Sequence, residues 1–137
     1  MKKSRIGSVA GLVSASVLAF APNAYADWES TIASAGAGFE SRRWAEESYT
    51  EVQFRGCTIQ NSINKSADVQ VWRDISLQPD DKYGRKTYTA CFKSSTTYSK
   101  ASWDNLPKGS YYFKIERVGD GGLMWVNKVY VDNTLAD

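Results

Sequence analysis

The chain has 137 residues, with seventeen Lys or Arg, fifteen Asp or Glu and no histidine, and a formal net charge of +2. Without an imidazole, histidine-based triads and the commonest metal ligand are excluded. Apart from one N-terminal segment, no apolar run approaches the roughly 20 residues that a membrane-spanning helix needs.

Residues 1–26 read MKKSRIGSVAGLVSASVLAFAPNAYA. Lys2, Lys3 and Arg5 precede a largely apolar segment from Ile6 to Ala21, and Ala24-Tyr25-Ala26 supplies a small-x-small cleavage site. This is the pattern of a secretory signal peptide, bacterial in style, and it predicts export with cleavage between Ala26 and Asp27. Residues 27–137 then form a single domain of 111 residues. Three basic residues leave with the signal, so fourteen Lys or Arg face fifteen Asp or Glu and the net charge becomes −1. No basic run is longer than a pair, which argues against nucleic acid as a partner.

Ser30 to Gly38 is small and glycine-dotted, and reads as an irregular lead-in. Phe39 to Trp44 reads either as the start of a short helix or as an edge strand. In Thr50 to Arg55, Thr50, Val52 and Phe54 alternate with Glu51, Gln53 and Arg55, the period of a half-buried strand. Gly56 predicts a bulge or a close backbone approach. Cys57 and Cys91 are the only cysteines. In an exported chain such a pair predicts one disulfide, worth roughly 4 kcal/mol by loop entropy.

Asn61 to Ser66 is a polar loop. Asp68 to Ile75 alternates again, with Val69, Val71 and Ile75 on one face and Asp68, Gln70, Trp72 and Asp74 on the other. Pro79 to Gly84 has turn chemistry. Lys86 to Lys93 reads as a strand and Ser94 to Lys100 as a hydroxyl-rich loop. Pro107-Lys108-Gly109 reads as a turn before the strand of Tyr111, Phe113 and Ile115. The segment LPKGSYYFKI resembles the turn-then-strand edge of many secreted sandwich modules, where a tyrosine just after the turn ties the corner. Gly119 to Gly122 reads as a tight turn that makes the last two strands a hairpin. On the last strand, Trp125, Val129 and Val131 are expected on one face and Met124, Val126 and Tyr130 on the other. The fold class expected is all-β: a small antiparallel β-sandwich or small barrel of about five to seven strands, with one disulfide.

Phe54, Phe92, Phe113 and Ile115 are expected in the core. The aromatics left over are the candidate ligand-binding residues: Trp72, Tyr112 and Tyr88 on strands, and Tyr83 and Tyr98 in loops. Exposed rings beside polar groups suit recognition of a carbohydrate or an extracellular protein. Catalysis is not marked. The acidic pairs Glu46-Glu47 and Asp80-Asp81 are adjacent, and neighbours on a strand point to opposite faces. Asp80, Asp81 and Asp120 fit turn chemistry better than calcium, and no metal or cofactor is expected. The functional expectation is a small secreted non-catalytic binding protein that recognises polysaccharide, a cell-envelope component or another extracellular protein. The alternatives are a secreted effector, such as an antimicrobial protein or an inhibitor of an extracellular hydrolase, and a self-assembling matrix protein.

Overall fold

The computed structural model describes residues 27–133. The signal peptide expected over residues 1–26 lies outside them. The fold is all-β, one antiparallel six-stranded sheet. The strands are β1 (Trp28–Ala35), β2 (Trp44–Gln60), β3 (Ala67–Asp74), β4 (Asp81–Tyr88), β5 (Tyr98–Val118) and β6 (Leu123–Asp132), in the order β1-β6-β2-β5-β3-β4.

Two long strands organise the sheet. The first half of β2 pairs with β5 and its second half with β6. β5 pairs with β2 through Tyr111 and with β3 from Ser110 onward. The segment between β1 and β2 then closes the sheet on itself. Gly38 N–H donates to the Ile115 carbonyl at 2.7 Å, Ile115 N–H to the Phe39 carbonyl at 2.9 Å, and Ser41 N–H to the Phe113 carbonyl at 2.9 Å. The 38–41 segment, rather than a β1–β5 ladder, thus closes the ring β1-β6-β2-β5, and β3 and β4 line the same core through Val69, Val71 and Tyr88. Phe113 is central inside it, with Phe54 at 5.5 Å and Trp28 at 6.4 Å between ring centroids. Edge-to-face and offset aromatic packing joins the buried valines and isoleucines in filling the core.

The period-two readings hold for Thr50–Arg55, for Asp68–Asp74 and for Tyr111, Phe113 and Ile115. The phase of β6 differs from expectation: Met124, Val126, Val129 and Val131 are all buried. The cause is Gly56 at φ +65°, which turns β2 so that both Phe54 and Cys57 face inward. β6 makes the matching change opposite it, while the ladder continues unbroken from Arg55↔Lys128 to Cys57↔Val126. The glycine permits a close approach rather than a bulge. Its Cβ would lie 2.5 Å from both Asn127 Nδ2 and the Ser95 carbonyl oxygen. Cys57, so placed, bonds Cys91 across a Cα separation of 5.1 Å.

Four other expectations are corrected. Ser30 to Gly38 is mostly strand β1, an edge that buries only Ile32 and Ala35 and whose register slips twice, which hides its period. Pro107-Lys108-Gly109 is inside β5. The chain there is accommodated by an irregular stretch with Asn105 at φ 56° and Ser48 at φ 82°, and proline is tolerated at such a bulge. The Tyr111 hydroxyl donates to the Pro107 carbonyl, so the tyrosine tie is present without the turn. β4 runs Asp81–Tyr88, not Lys86–Lys93, and Ala90–Phe92 is a 3-10 turn. Finally, β5 and β6 do not pair. Gly119 and Gly122 serve to let the 61–66 loop pack on that corner: their Cβ atoms would lie 2.3 Å from Ser62 Oγ and 2.4 Å from the Gln60 carbonyl oxygen.

Gly56→Ala should cost about 2 kcal/mol or more, from the left-handed backbone and the clash with Asn127 and Ser95 together. Urea unfolding of the oxidised protein measures it. A cost under about 0.5 kcal/mol would contradict this reading of the glycine.

Candidate functional site

β3 and β5 bring two of the five candidate aromatics together. Trp72 and Tyr112 are direct cross-strand partners, with rings nearly parallel at 13° and centroids 6.4 Å apart. The Trp72 indole N–H donates to Glu116 Oε2 at 2.8 Å, and the Tyr112 hydroxyl donates to Asp80 Oδ2 at 2.6 Å. Charged side chains cover the pair. The Arg43 guanidinium lies 3.8 Å from the Tyr112 centroid, and Lys114 Nζ and Lys82 Nζ lie 4.4 and 5.7 Å from that of Trp72. Arg43 is itself held by Glu40 at 3.2 Å and Asp74 at 3.0 Å. Burial, and the Asp80 carboxylate that accepts its proton, push the Tyr112 phenol up. The same hydrogen bond, with one from Ile75 N–H, holds Asp80 below the usual carboxylate range.

The other three candidates do not join this surface. Tyr88 is 1% exposed, packs edge-on to Phe54 and donates to the Val52 carbonyl at 2.5 Å. It is a core residue, because β4 ends on it and turns its ring inward. Tyr83 belongs to β4 rather than to a loop, and leans on Tyr111 with centroids 6.0 Å apart. Tyr98 is exposed at the start of β5, between Arg55 and Lys100.

One residue in the loop that Asp80 ties to Tyr112 was not among the candidates. Leu77, in the loop joining β3 to β4, is fully exposed and has a φ of 64°, where a bulky side chain is rare. Asp80 braces that loop at both sides. Its Oδ1 accepts the Ile75 N–H at 3.0 Å while Oδ2 holds Tyr112. The loop is therefore fixed to the sheet by one carboxylate, with an apolar side chain at its tip. A leucine set in SLQPD, among turn residues, was the sequence signal available.

Asp68 organises a separate ion-pair network, accepting from Arg85 at 3.0 Å, Arg117 at 2.9 Å and Thr87 at 2.9 Å. Among the described residues no three His, Cys, Asp or Glu side chains are grouped to hold a metal ion. Glu46 and Glu47 diverge, as adjacent strand residues do: Glu46 is 2% exposed and Glu47 is in solvent. Glu46 Oε2 accepts the Glu47 N–H at 2.8 Å, and Oε1 has no partner among the described residues. Burial pushes its carboxyl up to about 7, with Asp27 and Glu47 adding to the shift.

The chain matches no protein-family model, no curated protein and no solved structure.

Glu46 yields a pH prediction. Its folded pKa stands above the ordinary carboxylate value, so the fold prefers the protonated form. Stability is then greatest below about pH 4.5 as far as this group is concerned, and falls by about 3 kcal/mol as pH rises through 7. The Asp68 carboxyl is shifted the other way, below 3.8, so its contribution is constant across this window. No histidine titrates there either. The melting temperature should therefore drop between pH 5 and pH 8, and Glu46→Gln should flatten that slope. A wild-type melting temperature that does not fall over this range would contradict the assignment.

Proposed function

We propose that the protein is an exported, non-catalytic binding module whose partner is another extracellular protein, engaged by the β3–β4 loop and the adjoining Trp72–Tyr112 surface. The observation that carries this reading is Leu77: a fully exposed leucine at a left-handed backbone position, on a loop braced through Asp80. An apolar anchor on a pre-ordered loop loses little entropy on binding, and such anchors dominate protein interfaces. Arg43, Lys82, Lys114, Glu40 and Glu116 supply polar edges of both signs around the Trp72–Tyr112 pair, which favours specificity and orientation.

The geometry favours protein over polysaccharide. A sugar ring stacks on an open aromatic face, whereas Tyr112 is buried beneath Arg43 and Trp72 is approached by two lysines. Self-assembly through edge strands is disfavoured at β4, whose Lys82, Arg85 and Lys86 put like charges along that edge. Inhibition of an extracellular hydrolase is one form that loop-based recognition takes, and it fits this reading.

The test is capture of extracellular proteins from the source culture on the immobilised oxidised protein, compared with Leu77→Asp. Leu77 touches no core, so the variant should melt within about 2 °C of wild type while partner affinity falls at least about tenfold. A partner that binds the Leu77→Asp protein equally well would overturn the assignment. So would co-sedimentation with insoluble polysaccharide that survives high salt.

A further inference from the structure

The segment that closes the ring leaves a small pocket on the other flank of the fold. A cavity of about 90 Å³ opens between β1 and residues 39–42. Its apolar lining is Trp28, Ile32, Phe39, Phe113 and Val129. Apolar cavities of about 150 Å³ accept a benzene ring. This one suits a branched tail of about three or four carbons.

Arg42 lines the same pocket, with its guanidinium 5.1 Å from the centre of the Trp28 ring. Its neighbour Arg43 has two carboxylate partners, but Arg42 makes no ion pair among the described residues. The Trp28 indole N–H is buried and has no acceptor among the described residues. One apolar cavity is thus bordered by a cation that no carboxylate among the described residues neutralises. A guanidinium prefers a carboxylate, which accepts from its planar fork.

We propose that this pocket binds a small carboxylate with a branched apolar tail, the tail against the cavity wall that Trp28, Ile32 and Phe39 form and the carboxylate on Arg42. Such a group is offered by a free short-chain acid or by a peptide ending in leucine. The chemistry is shared, and the test separates the two sources. The site shares no residue with the Leu77 surface, so either stands or falls alone.

The experiment follows the Trp28 indole signal in ¹H–¹⁵N NMR of the oxidised protein, assigned with Trp28→Phe, at pH 7.5. The probes are 3-methylbutanoate, acetyl-glycyl-leucine, the neutral 3-methylbutan-1-ol and acetate. At least one of the first two should shift the signal saturably, at about millimolar concentration. The alcohol and acetate should each bind at least about tenfold more weakly, and Arg42→Gln should weaken the carboxylate about tenfold. Binding of the free acid would identify a diffusible ligand, and binding of the peptide alone a chain terminus. The proposal is overturned if neither carboxylate moves the Trp28 signal, if the alcohol binds as tightly, or if Arg42→Gln changes nothing. Arg42 is exposed, so its loss leaves the fold intact, and an unchanged spectrum elsewhere verifies that.

Discussion

Three backbone hydrogen bonds between residues 38–41 and the second half of β5 hold the architecture together. β2 begins at Trp44, opposite Tyr111, and β3 pairs with the far flank of β5 from Ser110 onward. That leaves the other flank of β5 from Phe113 to Ile115 without a strand. Unpaired backbone groups there would be buried beside the core, at a cost comparable to a lost hydrogen bond each. The chain between β1 and β2 fills the gap, and the Ser41 hydroxyl adds an acceptor for Phe113 N–H at 2.9 Å.

The same segment gives rise to both surfaces argued above. Glu40 and Arg43 reach toward Trp72 and Tyr112. Phe39 and Arg42 line the pocket beside Trp28. Consecutive residues serve different sides because the segment is extended and carries only one isolated bridge residue, Glu40. The disulfide acts at a distance from these surfaces. It ties the middle of β2 to the turn after β4, the strand pair least bound to the ring.

Much of the core was legible in the sequence, for a physical reason. Thr50 to Arg55 and Asp68 to Asp74 each bury one face and wet the other, so hydrophobicity alternates visibly. The same logic singled out Trp72 and Tyr112, both out of phase with the apolar faces, and they do meet. Other features depended on partners far along the chain. The burial of Tyr88 rests on Phe54 and on the Val52 carbonyl, 36 residues away. β1 is built of Ser and Ala with few apolar side chains to mark a period. The glycines at 119–122 looked like hairpin glycines but answer to the backbone of the 61–66 loop. Leu77 was overlooked because a single apolar residue inside a turn carries no periodicity.

Native-state amide exchange at Ser41, Gly38 and Ile115 tests the closure most directly. If those bonds complete the ring, the three N–H groups exchange only through global unfolding, with the same protection free energy as Val69 and Val71 in β3. Exchange at Ser41 and Gly38 that is several orders of magnitude faster than at Val69 would mean the segment opens by itself, and the closed ring would not be the ground structure of the protein.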